Sequence, residues 1–183
     1  RPYALAMRWL MGGQVYDVST GSFRTADIGI AHGRIATVGS GARREHADDT
    51  IDATGLWLLP GLIDCHVHLT LPTDAGDPAA SANRSDAAIT LYAAGAAART
   101  LHAGITTVRD VGGWNYVEMA VRDAVNSGSI PGPRMFLAGR LLSITTSTVE
   151  YYPGMYEVAD GADAVRAAAR RQLAKGADLI KVM

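Results

Sequence analysis

Short apolar runs separated by glycine and polar turns characterise the first 55 residues. Three runs, at residues 14–18, 26–30 and 34–39, have the composition that favours β-strands. His32 and Gly33 stand between the second and third runs, where a tight hairpin turn is expected. The pattern therefore predicts a small β-rich unit at this end of the chain.

Around Pro60 the pattern changes, and apolar strands begin to alternate with helical segments. The run at residues 56–63 is short, apolar and bounded by glycine and proline, so it predicts a strand that enters a buried core. Asp160 is the expected N-cap of the last helix. The predicted series continues with a helix at 85–102, a strand at 105–110, a helix at 116–126, a strand at 134–138, a helix at 162–175 and a strand at 178–183.

This alternation predicts an α/β fold with parallel strands and right-handed crossovers. An open four-stranded sheet is one possible architecture. The first four β/α units of a (β/α)8 barrel of the TIM type are the architecture we favour, because an apolar strand is an unusual place for a domain to stop. We expect residues 1–59 to form the β-rich domain and residues 60–183 the first half of the barrel.

Composition narrows the classes of function. The 183 residues carry a formal net charge of -1, and 48% of them are hydrophobic, which predicts a packed core and indicates no basic surface for nucleic acid. The single cysteine, Cys65, excludes an internal disulfide framework and a multi-cysteine zinc cluster. No apolar run approaches the roughly 18 to 20 residues of a membrane span. We expect a cytoplasmic protein with a small-molecule substrate, no nucleic-acid or membrane partner, and a homo-oligomeric state.

A His-X-His pair after the first apolar run is the strongest chemical signal. Side chains alternate across a strand, so His66 and His68 should point to the same face. Two neighbouring imidazoles at a strand end can hold one divalent cation, whereas a single buried histidine is usually a hydrogen-bonded core residue. Asp64 has the same parity, and it is either a group that orients an imidazole or a structural aspartate.

Lys181 in the last predicted strand is the second chemical position. It shares a face with Leu179 and Met183, while Ile180 and Val182 should face the helices, so the lysine points into the barrel. A lysine in a barrel core is costly unless it is paired, neutral or modified. Three interpretations stay open: a salt-bridged lysine, a Schiff-base nucleophile, or a carbon dioxide adduct whose carboxylate bridges two metal ions.

Six segments share a pattern and a joint spacing with one known family: residues 33–39, 51–55, 59–68, 106–113, 131–134 and 176–182. Together they resemble the metal-dependent amidohydrolase superfamily, in its branch of imidazolonepropionase-like enzymes and Xaa-Pro or Xaa-Arg dipeptidases. The resemblance covers most of the chain from about Gly12 onward. It implies a distorted β/α barrel whose N-terminal strands pair with returning C-terminal strands in a small β-sandwich.

The resemblance also implies a ligand set. His66 and His68 would bind the more buried of two divalent metal ions, with zinc as the expected metal, and a carbon dioxide adduct on Lys181 would bridge it to the second ion. Two further histidines and the general-base aspartate are expected beyond Met183, so no catalytic base is assigned among these residues. The other histidines, His32, His46 and His102, are expected to be structural or solvated.

The predicted activity is hydrolysis of an amide bond, in a dipeptide or an N-acyl amino acid, by a metal-activated hydroxide. Two alternatives stay open. One is a cyclic-amide hydrolase similar to imidazolonepropionase, with one metal ion and an unmodified Lys181. The other is a non-catalytic scaffold that retains the amidohydrolase fold.

Candidate substrate contacts lie in the loop after the third strand. Tyr151 and Tyr152, together with Tyr156, are either an apolar pocket wall or simple loop packing. Relatives often carry Gly-Gly-His early in this loop, where this chain has Thr-Thr-Ser at residues 145–147.

Two charged residues end the second barrel strand, at the rim where such barrels place their catalytic groups. Arg109 and Asp110 either contact substrate or form an ion pair that steadies the loop, and we favour the ion pair. Asp110 is also a candidate for orienting a metal-ligating imidazole.

Overall fold

The computed structural model describes residues 7–39, 49–72 and 83–183. These residues fall into two units, which divide between Pro60 and Gly61. His46 lies outside the described residues. Among the helices of the described ranges, none is long and apolar enough to cross a membrane.

The N-terminal unit is built on a five-stranded β-sheet. Its strands are β1 (Arg8–Asp17), β2 (Ser22–Ala31), β3 (Arg34–Gly39), β4 (Asp49–Asp52) and β5 (Trp57–Leu58). β1 pairs antiparallel with β2, β2 pairs antiparallel with β3, and β4 and β5 both pair parallel with β1. His32 and Gly33 form the turn between β2 and β3 with φ values of 52° and 70°, the left-handed pair that a two-residue hairpin turn requires. The predicted hairpin is therefore confirmed.

The C-terminal unit alternates strands with helices. Its elements are β6 (Leu62–Val67), α1 (Asp86–His102), β7 (Ile105–Asp110), α2 (Val117–Asn126), β8 (Arg134–Leu137), β9 (Leu141–Ser143), α3 (Thr148–Tyr151), β10 (Tyr156–Val158) and α4 (Ala162–Ala174). The strands β6, β7 and β8 form a parallel sheet in that order, with α1 and α2 as the crossovers. β9 and β10 form a separate parallel pair. The unit is thus the β/α part of a TIM-type barrel, as the alternation predicted.

One prediction for this region is wrong: residues 56–63 do not form a single buried strand. Trp57 pairs with Gln14 in the N-terminal sheet, whereas Leu62 pairs with Ile105 in the barrel sheet. The break falls at Pro60, which has no backbone N–H to continue a ladder. Leu62 and Ile63 are 59% and 67% exposed, because β6 pairs on one side only within the described sheet.

The main core of the C-terminal unit lies between the parallel sheet and its two crossover helices. Val108 of β7 and Leu137 of β8 are fully buried, and they pack against two alanines of α1, Ala93 and Ala97. Val121 of α2 completes the same cluster. Small alanine side chains allow α1 to approach the sheet closely, so this core fixes the carboxyl ends of β6 and β7 beside each other.

The region after β8 departs from the predictions in two ways. The N-cap of α4 is Gly161 rather than Asp160, whose carboxylate instead accepts hydrogen bonds from the backbone N–H and the hydroxyl of Thr145. The final segment does not form the continuous strand predicted for residues 178–183. It is bridged to Leu142 at Val182, and hydrogen bonds through the Lys181 carbonyl and the Met183 N–H keep it parallel to β9.

Candidate metal centre

His66 and His68 lie side by side at the carboxyl end of β6. Their ring centroids are 5.5 Å apart, and the ring planes meet at 75°. Both rings line a cavity of about 310 Å³ in the C-terminal unit. The two imidazoles therefore share one face, as the alternation along the strand predicted.

The orientation of His68 is set by a backbone carbonyl. Its Nδ1 lies 2.9 Å from the carbonyl oxygen of Gly112, in the loop after β7. A carbonyl oxygen only accepts, so Nδ1 carries a proton, and in the neutral ring Nε2 then carries the lone pair. This is the tautomer that binds a metal ion through Nε2.

Lys181 lines the same cavity as the two histidines. Its side chain is half-buried, and no Asp or Glu of the described residues forms an ion pair with it. Ile180 packs on the opposite side, against the cluster that contains Ala168 of α4. The inward position predicted for Lys181 agrees with this geometry, and the salt-bridged interpretation finds no support among the described residues.

These three side chains fit part of a metal site. In the described ranges, no three His, Cys, Asp or Glu side chains lie close enough together to hold a metal ion by themselves. His66 and His68 nevertheless supply two nitrogen donors at the carboxyl end of β6, and Lys181, which has no ion-pair partner among the described residues, lines the same cavity. Such a set would need further ligands to complete a coordination sphere.

The remaining walls of the cavity are mostly apolar. They come from Leu71, Leu141, Tyr152, Met155, Tyr156 and Met183. Burial, and then the nearby Tyr152, raise the pKa of Tyr156, so its hydroxyl stays protonated at neutral pH. Tyr151 is 63% exposed and is not among the lining residues. The tyrosine that faces the cavity beside Tyr152 is therefore Tyr156.

The other sequence candidates lie close to the histidines but make different contacts from those expected. Asp64 Oδ1 accepts a hydrogen bond from the backbone N–H of His66 at 3.0 Å. Arg109 donates to the carbonyl of Cys65 at 2.7 Å, while the buried Asp110 accepts, among the described residues, from the backbone N–H groups of Leu69 and Gly112. The expected Arg109–Asp110 ion pair is not formed, because adjacent residues of a strand point to opposite faces.

Sequence reasoning missed Glu118, a fully buried acid in the first turn of α2. Among the described residues, neither of its carboxyl oxygens has a hydrogen-bond partner. Burial, and then the charge of Asp110, raise its pKa to about 8, against the weaker opposing effects of Arg122 and Arg140. Burial likewise raises the pKa of Asp110 to about 7. An acidic residue in the first turn of a helix is usually exposed, so the sequence around Glu118 gave no indication that it is buried.

The comparisons with known proteins agree with this geometry. The model of the amidohydrolase family matches residues 57–183, which is more than half of the chain. The chain belongs to the amidohydrolase family. The members of this family are metal-dependent enzymes, and the resemblance described from the sequence is thereby confirmed.

Individual members of the amidohydrolase family match over different lengths. Ochratoxinase of Aspergillus niger is 30% identical over 155 residues, which cover 69% of this chain and 30% of that protein. Adenine deaminase 2 of Rhizobium meliloti is 50% identical over 58 residues, 32% of this chain and 10% of that protein. A solved prolidase in complex with N-methylphosphonate-L-proline superposes with a TM-score of 0.82 at 27% identity, covering 97% of this chain and 46% of that one. The chain thus spans less than half the length of these relatives.

Proposed function

We propose that this protein hydrolyses an amide bond in a dipeptide or an N-acyl amino acid, using two divalent metal ions. His66 and His68 would hold the more buried ion, and a carbon dioxide adduct on Lys181 would bridge it to the second, with zinc as the expected metal. The observation that carries the proposal is the convergence of both imidazoles and the lysine on one cavity. The dipeptide substrate follows from the prolidase among the similar structures.

The side chains of this chain have distinct tasks in the proposed reaction. Two bound cations would polarise the scissile carbonyl and lower the pKa of water towards about 7. His68 presents Nε2 because its Nδ1 donates to Gly112. The apolar wall would exclude water from the bound substrate. The Tyr156 hydroxyl, which donates to Met183 Sδ at 3.7 Å in this structure, would donate to a substrate oxygen instead when substrate is bound. Tyr152 lies beside it, with ring centroids 6.5 Å apart, as a second contact for substrate.

Metal content and hydrolysis, measured on the complete subunit that carries the ligands expected beyond Met183, test the proposal together. We expect about two zinc ions per chain by elemental analysis, and hydrolysis of members of a panel of dipeptides and N-acyl amino acids. The variants His66→Asn and His68→Asn should lose bound metal and activity. His102→Asn is the matched control, because His102 is an exposed residue at the end of α1.

The adduct has its own readout. Carbon-13-labelled bicarbonate should give a carbamate resonance in metal-loaded protein that is absent from Lys181→Met. One metal ion per chain with an unmodified lysine would favour the cyclic-amide alternative instead. A full chain that binds no metal, or whose hydrolysis is unchanged by both histidine substitutions, would refute the proposal.

A further inference from the structure

The carboxylate of Asp110 ties together two backbone segments that meet at His68. Its side chain is 1% exposed, at the carboxyl end of β7. One oxygen accepts from the N–H of Leu69, the residue after His68, at 2.9 Å. The other accepts from the N–H of Gly112 at 3.0 Å. A single buried group thus holds the end of β6 and the loop after β7.

Gly112 carries the effect of Asp110 to the imidazole. Its carbonyl accepts the His68 Nδ1 proton, while its N–H is held by the carboxylate. The approach is close, because a Cβ on Gly112 would lie 3.3 Å from His68 Cε1 and would overlap Leu141. The next residue, Gly113, is in turn pressed against the carboxyl of Glu118. The carbonyl therefore has little freedom to move once Asp110 has fixed the N–H beside it.

We infer that Asp110 is a positioning residue that keeps His68 in the tautomer with a protonated Nδ1 and a free Nε2. The inference rests on the proposed function only for the statement that Nε2 binds a metal ion. The alternative is a purely structural clamp between two loops. A structural clamp would affect stability without affecting the proton position on His68, so the two roles can be separated by measurement.

The test uses Asp110→Asn in the full chain. Asparagine has one acceptor oxygen, and its amide group would face the second N–H donor, so one of the two bonds is lost. Nitrogen-15 NMR of metal-free protein should show His68, assigned by its loss in His68→Asn, changing from the Nδ1–H tautomer to a mixture. Zinc affinity, measured by competition with a chromogenic chelator, should fall about 10- to 100-fold.

Asp27→Asn is the matched control, because the Asp27 carboxylate also accepts from a backbone N–H, that of Gly12 at 2.9 Å, in the N-terminal unit. It should leave the tautomer and the zinc affinity unchanged. A wild-type tautomer in folded Asp110→Asn would overturn the inference, even if the variant were less stable. If the wild type binds no zinc, the proposed function fails, and the tautomer comparison still decides the role of Asp110.

A second variant keeps the test decisive if Asp110→Asn does not fold. Gly112→Ala leaves both acids intact and places a methyl group against the His68 ring and Leu141. Displacement of the Gly112 carbonyl should shift the His68 tautomer in the same direction as Asp110→Asn. Folded Gly112→Ala with a wild-type tautomer would count against the inference.

Discussion

Replacing Glu118 by glutamine should make the stability of the protein less dependent on pH. The folded carboxyl has a pKa of about 8, raised from 4.5 first by burial and then by the charge of Asp110. When the protein unfolds, the carboxyl returns to its ordinary pKa and releases its proton near pH 4.5. Between these values folding takes up a proton, so the free energy of unfolding falls as pH rises. Glutamine has a similar shape and no charge at any pH.

The size of the effect follows from the pKa values in the two states. With 1.36 kcal/mol per pKa unit, the wild type should lose about 3 to 4 kcal/mol of unfolding free energy between pH 5 and pH 8 through Glu118. The glutamine variant lacks this loss. The difference in unfolding free energy, variant minus wild type, should therefore increase by about the same amount over that range.

Urea unfolding at several pH values measures this difference. Ellipticity at 222 nm is the appropriate signal, because all the described helices belong to the C-terminal unit that contains Glu118. A chelator keeps the protein metal-free, since metal binding adds its own pH dependence. Glu150→Gln, at an exposed position of α3, is the control and should follow the wild-type curve. Parallel curves for wild type and Glu118→Gln between pH 5 and pH 8 would refute the reasoning.

Substitutions at three further positions test the site, the core and a helix cap. Lys181→Met should reduce bound zinc from about two ions to one per chain by elemental analysis, and unchanged metal content would contradict a bridging adduct. Leu137→Ala removes a fully buried side chain of β8 and should cost about 2 to 5 kcal/mol in urea unfolding, whereas a cost below about 1 kcal/mol would mean that the core repacks. Ser85→Ala removes the hydroxyl that accepts from the Ala88 N–H at the start of α1, so the free energy of unfolding should fall by about 1 kcal/mol. Ser85→Asp should restore this stability, because aspartate is also a good N-cap. Equal stability of the wild type and both variants would show that the cap does not contribute.

Elements whose signals are local were predictable from the chain. The strand predicted at residues 105–110 coincides with β7, and the helix predicted at 85–102 differs from α1 by one residue, since Ser85 is its cap. Strand alternation was enough to place His66 and His68 on one face. In each case the deciding interactions join residues within a few positions of each other.

Contacts between distant residues could not be predicted in the same way. The choice of Gly161 over Asp160 as the N-cap of α4 depends on Thr145, 15 residues earlier, which binds the aspartate instead. The burial of Glu118 depends on the loop after β7 packing over the first turn of α2, and its sequence neighbours carry no sign of this.

The sequence by itself determined the alternation of strands and helices, the turn at His32, and the imidazole pair, because backbone geometry and side-chain periodicity act over short distances. Only the tertiary structure decided which sheet each half of residues 56–63 joins. It also decided that Asp110 accepts hydrogen bonds from backbone N–H groups and does not pair with Arg109. The hydrogen bond from Leu69 to Asp110 spans 41 residues. A buried carboxylate takes whichever donors packing brings to it, and packing depends on the whole sheet at once.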